Sequence, residues 1–500
     1  MNNHIQKRLK DWRYGAVVYQ VMVDRFAPSD DIEAKKHLYA FPRTLVSWDT
    51  LPKAKPFSKE KKYHEHELEF WGGDLKSLQK HLEYIEALQV DVLYLNPIPE
   101  AISNHKYDAS DYLEISKEYG TKEDLKHLID DVHQREMNIM LDGVFNHIGV
   151  ASPMYQDAKD NKESPYRHFF DFNDAYKEGV RLWMNVPSLP ELQLEEKEVQ
   201  DYLYQKKESV IQSYLYLGID GWRLDVAFDI GYYYLSEITK YSHHVNPLSS
   251  IVGEIPNYPN QWAQSMDGVM NFTFRELIIK LLLKQTSPYM SSVMFEKVIS
   301  DTGIEKILTS WTVIDNHDVP RLTHVFQTQA LRTLAFVLLF TLPGSPNLYY
   351  GTELGMEGGN DPENRAPMAW HLNQEDNPVK AFVLKLIQLR KDHYALKVGN
   401  FKRLLSEKLF AFVRTGDHTR DDVYVFLNVT DQEVKDIVLI DDANVMNYAA
   451  YIMLDGHATH LHVSAGVMEV TLPSHGHVMF KINTEAKDGY TSYKRISKES

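Results

Sequence analysis

The sequence predicts an α/β protein: a (β/α)8 TIM barrel with an inserted subdomain after strand 3 and a C-terminal antiparallel β-sandwich. Three observations carry this. Eight short, nearly continuous apolar runs alternate with helical patterns; runs apolar on both faces fit parallel strands covered on both sides, and their alternation with helices reads as a barrel. A stretch rich in Asp, Asn, Pro and aromatics separates the third run from its helix. Beyond residue 398 the pattern changes to LFAFVRT, DVYVFLNVT, VMEVTL and HVMFKIN, short strands joined by turns. The expected divisions are 1–147 with 191–397 for the barrel, 148–190 for the insertion, 398–485 for the sandwich and 486–500 for a polar tail.

The runs are Ala16–Val23, Val90–Ile98, Asn138–Phe145, Gly221–Ala227, Ser250–Ile255, Gly268–Phe272, Ser310–Ile314 and Asn347–Gly351. Between them, apolar residues recur at helical spacing. Leu75, Leu78, Leu82, Ile85 and Leu88 form one face. Thr121 with Asp124 resembles a capping box before Leu125, Leu128, Ile129 and Val132. Val199, Leu203, Val210, Ile211, Tyr214 and Leu217 predict one further helix, closed by Gly218.

Composition narrows the function. Hydrophobic residues are 43% and charged residues 25%, the balance of a globular chain with a sizeable core. Lys and Arg number 54 against 70 Asp and Glu, a net charge of −16. That argues against nucleic acid or an anionic membrane as partner and suits a neutral substrate. The absence of Cys excludes disulfides, thiol nucleophiles and Cys-based metal sites. The N-terminal stretch has no apolar h-region, and the apolar stretch Leu331–Leu342 is too short to span a bilayer, so the expected location is the cytoplasm.

Active sites of such barrels lie at the C-terminal strand ends. There the sequence places Asp142, Asn146 and His147 on the third run, Arg223 and Asp225 on the fourth, Glu254 on the fifth, and Asn316, His317 and Asp318 on the seventh. Four strands thus deliver a carboxylate to one rim. Arg223 and Asp225 are two apart and share a side; the Arg favours an ionised, oriented Asp, suited to nucleophilic attack. Glu254 follows an apolar lead-in, where desolvation raises a carboxyl pKa and suits a general acid. One nucleophilic and one acid/base carboxyl are the apparatus of retaining glycoside hydrolysis.

GWRLDVA, VGEI, DNHD and LDGVFNH resemble the strand-end motifs of the α-amylase superfamily. GGDLKSL, PIPEAISNHKYDASDY, LPELQLEEKEV and PNLYYGTELGMEGGNDPENR are similar to segments of its cyclomaltodextrinase, neopullulanase and maltogenic amylase group, in order over residues 11–395. The resemblance implies retaining hydrolysis of α-1,4-glucosidic bonds in maltooligosaccharides, cyclodextrins or related glucans, with α-1,6 bonds open. A 4-α-glucanotransferase, an α-glucosidase and a non-catalytic glucan-binding homologue are the alternatives. It further implies Asp225 as nucleophile, Glu254 as acid/base, and Asp318 as holder of ring hydroxyls. Tyr107, Asp142, His147, Arg223 and His317 would line the subsite of the cleaved glucose. Asp361 and Arg365 would grip the next sugar outward.

The departures from that group concern the leaving side. Its members usually carry a Trp two residues after the acid/base Glu, where this chain has Pro256, and Asn–Glu where it has Phe228–Asp229. Their N-terminal β-domain of about a hundred residues, which supports a dimer, has no counterpart before Trp12, so the oligomeric state stays open. Their calcium loop is not evident, leaving Asp30 and Asp31 as possible ligands; no cofactor or metal is required. The tract His64, Glu65, His66, Glu67 and Glu69 reads as a solvated loop, and GMEGGND is not a nucleotide-binding pattern.

Overall fold

The computed structural model describes residues 3–495. Its central element is a closed parallel barrel of β1 (Val18–Val21), β2 (Val92–Leu95), β3 (Asn138–Gly143), β4 (Gly221–Leu224), β5 (Ser250–Ile255), β6 (Gly268–Asn271), β7 (Trp311–Val313) and β8 (Ser345–Tyr349). The strands neighbour one another in chain order, and β1 closes the ring by pairing Val18 with Asn347 on one side and Val92 on the other. Every apolar run of the sequence supplies one strand. Inside, Val18, Val92, Met140, Val252, Met270 and Val313 belong to a cluster separate from the main core. Toward the C-terminal ends the same inward positions turn polar, as Gln20, Asn96, Asp142, Arg223 and Glu254. The strands therefore enclose a filled core with a polar mouth.

The outer strand faces pack on helices in one continuous core that includes Leu78, Leu128, Ile129, Leu277 and Leu338. Thr121 caps the helix Lys122–Gln134: its Oγ1 accepts the Asp124 N–H at 3.2 Å, and Asp124 Oδ2 accepts the Thr121 N–H at 2.9 Å. Gly218, at φ 119°, ends the helix Val210–Leu217 in a conformation that L side chains avoid. The single helix expected from Val199 to Leu217 is broken after Gln205, where Lys206 is extended. Ser209 then restarts the helix, and Gln212 Nε2 satisfies the carbonyls of Tyr204 and Gln205 left open by the break. The apolar stretch near Leu331 is the buried helix Gln329–Thr341. Among the described residues no helix is long and apolar enough to cross a membrane.

Two excursions rise beside the mouth. One lies between β3 and β4, including the helix Pro153–Asp160 and a tight turn held by a Leu182–Pro190 bridge. The other, between β1 and the helix Leu75–Lys80, was not expected. It contains two small sheets and the one-turn helix Glu65–Leu68. Asn104 docks it on the loop after β2, donating from Nδ2 to His66 O at 2.8 Å and Glu69 O at 2.7 Å.

The C-terminal part holds β9 (Asn400–Arg403), β10 (Phe410–Thr415), β11 (Val423–Leu427), β12 (Val434–Leu439), β13 (Tyr451–Gly456), β14 (His460–Ser464), β15 (Val467–Leu472) and β16 (His477–Ile482). They form sheets ordered β9–β10–β11–β16–β13 and β12–β15–β14, packed around Ala411, Phe426, Val438, Val470 and Phe480. The sequence signalled only β10, β11, β15 and β16. β9 is an edge strand, and β12, β13 and β14 leave much of their length in water, which dilutes the apolar pattern. Within the expected polar tail, Tyr493 packs on this core and its hydroxyl accepts the Met446 N–H at 3.2 Å. Residues 496–500 of that tail lie outside the described residues.

Candidate active site

Arg223 organises the mouth. Its side chain is fully buried on β4. Nη1 donates to Asp142 Oδ1 at 2.8 Å and Oδ2 at 3.1 Å on neighbouring β3, and to Asp225 Oδ1 at 2.9 Å just beyond its own strand. Nη2 lies 3.1 Å from Glu254 Oε2 on β5. The β3–β4–β5 register produces this, since Arg223 stands between Asp142 and Val252 and Glu254 follows two residues on. After Asp225 the chain turns sharply at Val226, whose φ of 37° and ψ of 45° are strained for a β-branched residue. That turn directs the Val226 N–H onto Glu254 Oε2 at 3.0 Å.

Asp142 is held further by Tyr94 and Tyr107, whose hydroxyls donate to Oδ2 at 2.6 and 2.8 Å. The Tyr107 ring lies parallel to His317, with centroids 5.3 Å apart. Gln20 and Asn96 approach His317 Nδ1 at 2.9 and 3.2 Å, and Asp318 Oδ2 lies 3.0 Å from Nε2. Arg365 Nη2 reaches Asp318 Oδ1 at 3.3 Å and Asp361 Oδ2 at 3.2 Å. Asp225, Glu254, Asp318, Tyr107, His147, Asp361 and Arg365 all line one cleft of about 400 Å³. Asp142, Arg223 and His317 support it through the bonds just described.

Burial dominates the protonation of these groups. It raises Asp225 well above the usual carboxylate range, with Glu254, Asp142 and Asp318 adding to the rise and Arg223 opposing it. The sequence reading had Arg223 keep Asp225 ionised. One guanidinium shared among three carboxyls offsets only part of this effect, and Asp225 is held above its usual range. Asp318 is raised to about 7 by the enclosing cleft and Glu254, against Arg365 and Arg223. Burial keeps His147, pushed down to about 3, and His317 neutral. Both ring nitrogens of His147 are buried, and the ring stacks against Trp183.

Several cleft residues escaped the sequence reading. Trp183, Val186 and Leu189 come from the β3–β4 excursion, and Glu67 and His105 also line the cleft, as does Phe228, which the sequence had marked as a departure from the group. The tract 64–69 is therefore more than a solvated loop: Leu68 is buried and Glu67 faces the cleft. Glu67 Oε1 lies 3.5 Å from His105 Nε2, and despite burial this pairing helps bring Glu67 down to about 2. The apolar residues on either side, Tyr63 and Leu68, were the available signal. Asp30, considered for calcium, is paired with Lys80. Pro256 is exposed and not among the cleft-lining residues.

Residues 20–377 match the family model of the alpha-amylase catalytic domain. A cyclomaltodextrinase from a Bacillus species is 31% identical over 434 residues, 83% of this chain and 73% of that protein. Neopullulanase 2 of Thermoactinomyces vulgaris is 32% identical over 430 residues, 81% of this chain and 68% of that one. The ligand-free structure of a cyclic alpha-maltosyl-(1→6)-maltose hydrolase from Arthrobacter globiformis has a TM-score of 0.78 at 26% identity, covering 95% of this chain and 99% of that one.

Proposed function

Because the chain belongs to the alpha-amylase family of glycoside hydrolases, we propose that it cleaves α-1,4-glucosidic bonds in short or cyclic α-glucans with retention of configuration. Asp225 attacks the anomeric carbon while Glu254 donates its proton to the leaving glycosidic oxygen. The sugar is then held as an ester on Asp225. Glu254, now a carboxylate, takes a proton from water, whose oxygen attacks the same carbon and frees Asp225. Asp318 and neutral His147 and His317 hold ring hydroxyls as charge develops on the sugar. Asp361 and Arg365 hold the next sugar on the donor side.

The single guanidinium touching both Asp225 and Glu254 carries this reading. It supports the short carboxyl separation of a retaining pair, about 5–5.5 Å, over the wider gap needed to seat a water for inversion.

Substrate size follows from the two excursions beside the mouth, which favour short or cyclic glucans over a long helical polymer. Chromatography of products from a cyclodextrin, maltotetraose, pullulan and soluble starch tests this. Higher kcat/KM on the cyclodextrin or maltotetraose, with shortened products, is expected. Starch as best substrate would overturn the size argument, and products mainly longer than the substrate would favour a transferase.

A further inference from the structure

Asp318 stands on an irregular loop, residues 314–321, between β7 and the short helix Leu322–Val325. Asn316 Oδ1 shapes its turn, accepting the Asp318 N–H at 2.8 Å and the Val319 N–H at 3.1 Å. Those bonds are internal to the loop and do not set where it stands at the mouth. At its base, Asp315 Oδ2 accepts the Thr352 hydroxyl, from the segment after β8, at 2.8 Å. The end that carries Asp318 turns three main-chain carbonyls toward that same segment. One side chain there meets all three. Asn364 Nδ2 donates to His317 O at 2.7 Å, Val319 O at 3.0 Å and Asn316 O at 3.3 Å.

Three acceptors around one atom fix the amide's orientation, since only its NH2 end can donate. Asn364 is itself fixed. It is fully buried in the one-turn helix Glu363–Arg365. Arg321, at the far end of the Asp318 loop, donates from Nε to Asn364 O at 3.1 Å and from its backbone N–H to Gly358 O at 3.1 Å. A Cβ at Gly358 would stand 2.8 Å from both Asn364 Cα and Glu363 O, so glycine lets the segment fold this closely on itself. The next residue, Arg365, donates from Nε to His317 O at 2.8 Å and brings Nη2 within 3.3 Å of Asp318 Oδ1. The two loops thus meet in a seam of bonds to the main chain on either side of Asp318.

We propose that Asn364 is a positioning residue for Asp318: its amide staples the loop after β7 to the segment after β8 and holds the Asp318 carboxyl against Arg365. Asn364 acts through Asp318 and does not line the cleft. The assignment rests on the hydrolase reading above, in which Asp318 holds ring hydroxyls as charge develops on the sugar. Such a contact aids the reaction only when the carboxyl is already in place, and a small displacement forfeits much of it. A loop without strand or helix bonds of its own needs an outside tie to supply that placement.

Asn364→Leu keeps the branching and removes the donor. Its kcat/KM on α-maltosyl fluoride, whose leaving group is fluoride, should fall on the order of ten- to a hundredfold per folded molecule. Two further readouts separate positioning from bulk stability. In an Asp318→Asn background the same substitution should cost at most about twofold, because the group it positions is already gone. The pH profile should also move. Asp318, raised by burial and Glu254 and held down by Arg365 and Arg223, is faced as well by Asp361 and by His317, which burial keeps neutral. With Arg365 released from it, Asp318 rises further, and its limb in kcat/KM shifts to higher pH. A loss of the same size in both backgrounds, or a limb that stays in place, would overturn the proposal, since a residue that only supports the fold gives those results. If the Leu variant does not fold, Asn364→Ala, which removes the donor without adding bulk, is read by the same two measures. Wild-type protein inactive on α-maltosyl fluoride would defeat the hydrolase reading itself, an outcome distinct from either.

Discussion

Replacing Arg223 by Met keeps most of the side-chain volume and removes the one cation that Asp142, Asp225 and Glu254 share. The guanidinium is fully buried and makes three hydrogen bonds to carboxylate oxygens through Nη1 alone. Removing one partner from a buried ionic cluster costs about 3–5 kcal/mol. Proton uptake by the orphaned carboxyls limits the loss, and this makes it depend on pH. Asp142 and Asp225 are already raised by burial, with Arg223 as the main opposing influence. Without it both rise further. A carboxyl whose folded pKa exceeds its unfolded value carries stability that is full below the unfolded pKa, near 3.8 here, and is lost as pH climbs through the folded pKa. The stability gap between wild type and Arg223→Met should therefore widen as pH rises through the wild-type folded pKa values, which lie above 3.8. Urea unfolding at several pH values measures it. A gap independent of pH, or widest in acid, would refute this electrostatic account.

Asp225→Asn should abolish turnover, because an amide cannot form the glycosyl ester. It should also raise the melting temperature at neutral pH, where the raised pKa of Asp225 costs stability, with the gain shrinking toward pH 4; an unchanged or lower melting temperature would contradict the direction of its shift. Asp318, raised to about 7, should give kcat/KM on α-maltosyl fluoride a limb near that pH. The limb reports the free enzyme and should vanish in Asp318→Asn.

What was legible in the sequence follows a physical division. Barrel strands such as β3 and β5 are covered on both faces, so their residues form apolar runs that stand out from the helices between them. The functional rim was legible because inward positions must be apolar unless chemistry requires otherwise, and Asp142, Arg223 and Glu254 break that rule where the strands open. Trp183 and Glu67 were not legible as cleft residues. Both stand on irregular excursions whose paths depend on distant contacts, Asp229 for the indole and Asn104 for the loop of Glu67. The strain at Val226 was equally hidden, since nothing about a Val after LD marks a left-handed turn. The charge balance around Arg223 also exceeded sequence reasoning, which paired Arg223 with Asp225 alone, whereas the fold gave it Asp142 and Glu254 as well.

A covalent sugar on Asp225 can be trapped and weighed. In Glu254→Gln the acid/base is gone, but α-maltosyl fluoride needs no proton to depart, so the first step proceeds and the ester accumulates. Mass spectrometry of the quenched variant should show the mass of one maltosyl unit, on the peptide that contains Asp225. A maltosyl group on another residue, or turnover of the fluoride to β-maltose with no adduct formed, would contradict the account.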